Sequence, residues 1–329
     1  MPVSNSPILV TGGAGYIGSV LVGELLSNGH NVRVIDNLMY GQSSLNIYQG
    51  NKYLEHMTGD IRNSRDVDQA LKGVKGVVHL AAIVGDPACE KNRALAAEVN
   101  RTASELLYRK SLEHKVGRFV FASTCSNYGK MDNHNGYVDE SSELKPISHY
   151  ARLKVDFEKF ILNQNSQSLT AVVLRFATAY GLSPRIRLDL TLNEFTVRLA
   201  LGKKLQVYGE QFWRPYTHTI DLARACILAL KQDFSKVSGR AFNVGAANEN
   251  YQKKTLVALI VKELSQMASN VEFVKKDEDP RDYRVNFDLI KKTLDYKNLK
   301  TVNDGISEFI AVVRNGQIKD FDNPIYRNA

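Results

Sequence analysis

The sequence predicts an α/β fold: a doubly wound parallel sheet followed by a smaller, mostly helical C-terminal region. Three observations carry the prediction. Across the first 180 residues, short β-rich runs alternate with segments of helical period, the pattern of parallel strands joined by helical crossovers. A glycine-rich turn, Gly12-Gly13-Ala14-Gly15, separates the first run from the first helical segment. After Gly181 the rhythm gives way to longer helices and isolated short strands, punctuated by Pro184, Pro215 and Pro280.

The elements follow in order. Residues 8–11 form the first apolar strand, and a helix over 17–27 follows the turn. Residues 31–36 and 53–57 read as the second and third strands, with a helical segment over 67–71 after them. The fourth strand, 76–80, opens an apolar run to Val84 that His79 interrupts. Residues 94–114 read as one long helix, 118–123 as the fifth strand, 150–163 as a helix and 170–176 as the sixth strand. Right-handed crossovers place the helices on both faces of such a sheet. The expected organisation is a sheet domain over 1–181 with a return at 217–245, and a second region over 182–329 packed against it. No linker rich in Gly, Ser or Pro separates them, so the cleft between them is the expected site. The polar tail, 317–329, is expected to fray.

The chain has 329 residues, 43% of them hydrophobic and 24% charged, values of an ordinary globular protein with about two domains. No apolar run approaches the roughly 18 residues of a membrane helix. The start, MPVSNSP, runs directly into a strand, so no signal peptide is expected. Three cysteines, Cys89, Cys125 and Cys226, are odd in number and scattered, which argues against a disulfide framework and for a cytoplasmic protein. The net charge is +8, and residues 181–329 hold most of the excess, with 24 basic against 18 acidic. Basic residues occur as pairs such as Lys203-Lys204 and Lys291-Lys292, not as a stripe, so no nucleic-acid partner is expected. Solvated lysines account for such pairs; an anionic small substrate of the second region is the alternative. No metal site is expected.

The turn reads in full Thr11-Gly12-Gly13-Ala14-Gly15-Tyr16-Ile17-Gly18. It follows a strand and opens a helix, the context of a dinucleotide fingerprint. Gly12 allows the tight turn, Gly15 the approach of a pyrophosphate, and Gly18 close helix-strand packing. The helix N-terminus then offers free N–H groups to the phosphates. Asp36 ends the second strand 18 residues after Gly18, near the spacing of an acid that binds the adenosine ribose. Its charge repels a 2′-phosphate, and no Arg or Lys follows in Asn37-Leu38-Met39-Tyr40, so NAD is favoured over NADP. An Asp that merely caps a turn is the plainer reading. Asp60-Ile61 stands where it reaches the adenine or closes a turn after Gly59.

Tyr150-Ala151-Arg152-Leu153-Lys154 puts a phenol and an ammonium one helical turn apart. Tyr-x-x-x-Lys also occurs at Tyr48/Lys52 and Tyr296/Lys300, so spacing does not decide. Context does. Tyr150 opens a helix between the fifth and sixth strands, after a hydroxyl cluster, Ser123-Thr124-Cys125-Ser126, at a strand's C-terminal end, where open α/β sheets bind ligands.

These motifs, with HLAA at 79–82, Asn100, STCSNYG at 123–129, RFATAYG at 175–181, WRPYTHTID at 213–221 and FNVG at 242–245, resemble one family. It is the extended short-chain dehydrogenases/reductases, in their NAD-dependent nucleotide-sugar epimerase/dehydratase group, over residues 7–314. The resemblance implies a Rossmann-type domain that binds NAD through Gly12, Gly15, Tyr16, Ile17, Gly18, Asp36, Asn37, Asp60, Ile61, Leu80, Ala81, Ala82, Asn100, Tyr150 and Lys154. It implies Tyr150 as the base for the sugar hydroxyl. A nearby cation lowers a phenol pKa by about 1–3 units, so Lys154 with the oxidised nicotinamide is expected to poise it near neutrality. Thr124 bonds the same sugar oxygen. Ser126, Asn193, Arg214 and Arg281 are expected on a nucleotide-diphosphate sugar, since guanidinium forks suit diphosphate oxygens. Arg281, beside Asp279 and Asp282, equally suits an ion pair. A homodimer through the helices at 94–114 and 150–163 is implied as well.

The chain also departs from the family. Its 4,6-dehydratases carry an Asp-Glu pair directly after the threonine, where Cys125 and Ser126 stand. Thr178 replaces a common Asn, and the run LSPRIRLDLTLNEFT at 182–196 resembles a subset that includes GDP-heptose 4-dehydrogenases. The expected activity is NAD-dependent oxidation of a nucleotide sugar at C4, as a 4-epimerase or 4-dehydrogenase. A 4,6-dehydratase, a keto-sugar reductase and a non-catalytic NAD-sensing protein on the same fold are the alternatives.

Overall fold

The computed structural model describes residues 6–41, 43–131, 136–164, 168–277 and 281–328. Seven strands make one wholly parallel sheet: β1 (Ile8–Thr11), β2 (Val32–Asp36), β3 (Leu54–Thr58), β4 (Gly76–His79), β5 (Arg118–Thr124), β6 (Thr170–Phe176) and β10 (Arg240–Val244). Their order is β10-β6-β5-β4-β1-β2-β3, so the sheet reverses direction of growth between β1 and β4. Crevices at such reversals, beyond the strands' C-terminal ends, hold ligands in open α/β folds.

The strand residues alternate between two apolar layers, as a period of two requires. Val10, Val78, Val120 and Val172 face α1 (Tyr16–Ser27) and α8 (Thr219–Lys231). Leu9, Val77, Phe119 and Val173 face α2 (Ser64–Leu71), α5 (Ser104–Glu113) and α6 (His149–Leu162). The seventh strand, β10, comes from the segment 240–244, far along the chain from its neighbour β6. The short helix α3 (Asp86–Lys91) follows the loop after β4.

The long helix expected over 94–114 is interrupted. Helix α4 (Arg93–Ala97) leads into a wide π-type turn over Glu98–Ala103 before α5 begins. The inserted turn has local partners. Ser104 Oγ donates to the Asn100 carbonyl and meets the buried His79 ring at 2.9 Å, while the Asn100 side chain bonds the backbone of Ile83 in both directions. Such bulges in helices gather at functional sites.

Beyond the main sheet lies a three-stranded sheet, β7 (Thr178–Tyr180), β9 (Trp213–His218) and β11 (Asn250–Gln252), with β9 in the middle. A separate pair joins β8 (Leu205–Tyr208) to β12 (Val271–Val274). Helices α7 (Thr191–Ala200), α10 (Lys253–Glu263) and α12 (Val302–Arg314) cover them, and α9 (Phe234–Val237) and α11 (Asp288–Leu294) lie nearer the main sheet. The tail departs from the fraying its polarity suggests. Ile318 and Phe321 are buried beside Phe309, and the Leu188 N–H donates to the Tyr326 carbonyl at 2.9 Å. Ile318 and Phe321, with Tyr326 packed against the same cluster, dock it. Pro280, Asp279 and Ala329 lie outside the described residues. No described helix is long and apolar enough to cross a membrane.

Candidate active site

The crevice at the sheet reversal opens into a cleft of about 400 Å³. Its floor is the glycine turn. Gly12 has φ +71, and a Cβ there would lie 2.7 Å from the Ala81 backbone nitrogen, so a side chain would collide with the chain leaving β4. A Cβ at Gly18 would run into the Gly12 carbonyl. Gly15 caps α1 without any side-chain bond to the helix, which leaves the helix N-terminus open to an anion. Asp36 lines the same cleft. Its carboxylate accepts from the Ala14 N–H at 3.0 Å and the Leu38 N–H at 2.8 Å, so it both caps the turn and faces the cavity. An open helix N-terminus, glycines that admit no side chain and an acid at the end of β2 fit a dinucleotide. Asn37, Asp60, Ile61, Leu80, Ala81 and Ala82 line the cleft beside them. Arg62 bonds Asp60 and holds its carboxyl below the usual range.

Helix α6 supplies the opposite wall. Ser148 caps it by accepting from the Ala151 N–H at 3.2 Å, and the face carrying Ala151, Lys154 and Glu158 turns inward. Lys154 is 3% exposed; its Nζ donates to the Ala122 carbonyl at 2.9 Å and sits 4.7 Å from the Phe121 ring centre. Burial lowers its pKa to about 8. Tyr150 lines the cleft with it, and burial pushes the phenol above its ordinary range, with Arg187 and Asp86 as nearby charges. The expected lowering by Lys154 does not show in the protein alone: Lys154 is not among the charges acting on the phenol, and desolvation dominates.

Thr124 and Ser126 also face the cavity, their hydroxyl oxygens 2.9 Å apart. A buried polar network fixes the loop that carries them. Ser123 Oγ donates to Glu158 at 2.8 Å, Asn127 Nδ2 donates to Ser123 Oγ at 3.0 Å, and the Arg175 guanidinium clasps Glu158. Because Glu158 lies one turn beyond Lys154, the same helix sets both walls. Cys125 points away: its thiol donates to the Arg175 carbonyl at 3.2 Å, and burial pushes it far up from its usual range. Cys89, Cys125 and Cys226 are free and buried.

Three expected site residues do not line the cleft. Asn100 is buried behind it and shapes the loop after β4. Asn193 is fully buried; Oδ1 accepts from the Gly181 N–H, and Nδ2 donates to the Tyr16 hydroxyl at 3.0 Å and to the Arg187 carbonyl at 2.8 Å. Arg214 donates to the Trp213 carbonyl and lies over the Tyr283 ring. Arg281 does line the cleft, paired with Asp86 at 2.8 Å. Sequence reasoning missed Asp86, Arg185, Arg187, Tyr40 and Asn328, which also line it. The two arginines stand in the 182–196 run; spacing alone does not show that this run crosses the first turn of α1.

Comparisons agree with this architecture. The model of the NAD dependent epimerase/dehydratase family matches residues 8–245. A UDP-glucose 4-epimerase of Halalkalibacterium halodurans is 32% identical over 260 residues, covering 72% of this chain and 75% of that one. Among solved structures, the dTDP-glucose 4,6-dehydratase DesIV of Streptomyces venezuelae, with NAD bound, gives a TM-score of 0.83 at 26% identity, covering 94% of this chain and 98% of that one. The UDP-glucose 4-epimerase of Thermotoga maritima, with UDP-glucose, gives 0.82 at 25% identity, covering 95% and 100%. The chain belongs to the NAD-dependent epimerase/dehydratase family, enzymes of the short-chain dehydrogenase/reductase type.

Proposed function

We propose that the protein oxidises a nucleotide-diphosphate sugar at C4, acting as a 4-epimerase or a 4-dehydrogenase. The observation that carries this reading is the company Tyr150 keeps: Lys154 and Thr124 share its cleft with Asp36, while no carboxyl group stands at 125 or 126. Gly12, Gly15, Gly18 and Asp36 hold NAD, with Asn37, Asp60 and Ile61 around its adenosine and Leu80 to Ala82 along it. NAD, when bound, accepts the hydrogen and electron pair that leave the sugar carbon.

Tyr150 takes the proton of the sugar hydroxyl at its phenol oxygen. Thr124 Oγ1, held against Ser126, fixes that same hydroxyl, and Ser126 extends the polar edge toward the sugar. Lys154, anchored at Ala122, supplies the cation that favours the phenolate and holds the nicotinamide ribose. Arg281 exchanges Asp86 for the substrate's diphosphate. Loss of water from C5 and C6 needs a second acid and a second base, and neither a serine nor a buried thiol supplies them at neutral pH. The product is therefore the C4 epimer or the 4-keto sugar.

In this reading residues 1–181, with the return at 217–245, hold the cofactor, and the rest of 182–329 holds the nucleotide sugar. A cytoplasmic homodimer paired through α5 and α6 belongs to the same proposal; the mass in solution checks the dimer. The function is tested by mixing the NAD-loaded protein with UDP-, dTDP- and GDP-hexoses and GDP-heptose while following reduced nicotinamide. Transient or lasting reduction with one of them supports the reading, and none with any of them sinks it.

A further inference from the structure

We propose that Arg185, from the second region, is a cofactor-binding residue whose guanidinium takes the diphosphate of the bound dinucleotide. The proposal rests on the family's NAD dependence and not on the sugar chemistry above.

The segment carrying Arg185 is pinned to the phosphate-binding end of α1. The Tyr16 hydroxyl donates to the Gly181 carbonyl at 2.6 Å, Ser183 Oγ donates to the Tyr16 carbonyl at 2.6 Å, and Ser183 and Ser19 hydroxyls meet at 3.1 Å. Helix α1 runs for 12 residues, and its N-cap, Gly15, leaves the first turn without a side-chain cap. Two residues past Ser183, Arg185 lies over the Tyr40 ring, 4.3 Å from its centre, and both line the cleft that the glycine turn floors.

Arg185 is 7% exposed. One Nη donates to the Arg327 carbonyl at 3.2 Å, yet Nε is buried without a hydrogen-bond partner. Among the described residues no carboxylate pairs with it. Arg187 differs: its fork is committed to Asp189 at 3.0 and 2.7 Å. A guanidinium taken out of water without a counter-charge is costly, and a diphosphate, with several anionic oxygens, is the partner whose geometry suits its fork.

Two diphosphates are candidates, that of the cofactor and that of a sugar nucleotide. Position selects the first. Tyr40, under the Arg185 guanidinium, follows Asp36 on the loop after β2, at the ribose end of the cleft. The cation on the cleft wall that pairs with Asp86, Arg281, serves the other end, since Asp86 opens α3, which packs against α6, the helix that carries Tyr150. Binding of NAD thus closes an electrostatic contact between the second region and the first turn of α1.

Arg185→Gln, which retains the stem over Tyr40, tests this by calorimetric titration with ADP-ribose, NAD, UDP, dTDP and GDP. The expected result is a loss of at least about 10-fold in affinity for ADP-ribose and NAD, the scale of a lost charge-assisted contact, with the other three nucleotides within about twofold. ADP-ribose affinity within about twofold of the unaltered protein overturns the assignment. Loss confined to UDP, dTDP or GDP overturns it too, giving Arg185 to the substrate. Near-ultraviolet circular dichroism confirms folding; should the Gln variant fail to fold, Arg185→Met carries the same thresholds. NAD binding by the unaltered protein is the reference, so failure here leaves the family's cofactor and the proposed C4 oxidation standing.

Discussion

The Lys154 ammonium lies 5.9 Å from the centre of the Tyr150 ring and is tethered at 2.9 Å to the Ala122 carbonyl at the end of β5. The tether fixes the ammonium between the phenol and the end of β5. If Tyr150 is the base, Tyr150→Phe removes the proton acceptor and leaves the glycine turn untouched. Turnover is expected to fall at least about 100-fold, with NAD affinity within a few fold. Steady-state rates and NAD titration check it, and normal turnover moves the chemistry elsewhere.

Burial of Lys154 has a consequence for stability. Its pKa falls from 10.5 to about 8 in the folded protein. Between those values the unfolded chain binds a proton that the folded chain does not, so this group makes stability rise with pH across that window. Below about pH 8 its destabilising effect is fully present, roughly 3 kcal/mol. Lys154→Met should remove that rise, so the difference in denaturant-unfolding free energy between the two proteins narrows steadily from about pH 8 to about pH 10.5. A difference that stays constant with pH contradicts the assignment. Lys154→Ala is also expected to lose NAD affinity and rate together.

How much of this was legible in the sequence depends on the range of each interaction. The glycine turn, Asp36 and the Tyr150/Lys154 pair are encoded by spacings within one turn or one βαβ unit, and these residues gather in one cleft. The six strands expected in the first 180 residues lie within one residue of their bounds, because apolar runs bounded by turns are local signals, while the short β7 was not foreseen. The break in the 94–114 helix was not readable, since it depends on His79 and Ile83, which only the sheet brings to Ser104 and Asn100. Arg185 was invisible for the same reason: hydrogen bonds of Ser183 to Tyr16, 167 positions away, put it beside α1. Asn193 was expected on the substrate, and it instead spends its polar atoms on Tyr16, Gly181 and Arg187.

Asp36 should set cofactor choice. Its carboxylate, ordered by two backbone N–H groups, meets a 2′-phosphate with like charge. NAD is expected to bind more tightly than NADP, and Asp36→Ala to narrow the gap by weakening the first and relieving repulsion of the second. Dissociation constants for both cofactors decide; tighter NADP binding by the unaltered protein is the contrary result.

Cys125 is expected to be dispensable for chemistry. Its thiol is bonded to the Arg175 carbonyl and kept protonated by burial, so it is neither nucleophile nor useful acid. Cys125→Ala should keep turnover within about threefold while lowering stability by about 1 kcal/mol for the lost packing. A loss of two orders of magnitude in turnover in a folded variant would return Cys125 to the catalytic set.

The central claim is oxidation at C4 without loss of water, and the most direct measurement is the mass and C4 configuration of the product. The protein is incubated with NAD and each of UDP-, dTDP- and GDP-hexose and GDP-heptose, and products are read by mass spectrometry and NMR. The account predicts either an unchanged mass with inverted C4, the epimerase outcome, or loss of two hydrogens with NADH formed, the dehydrogenase outcome. A product lighter by one water contradicts it, because Cys125 and Ser126 offer no acid–base pair for that elimination.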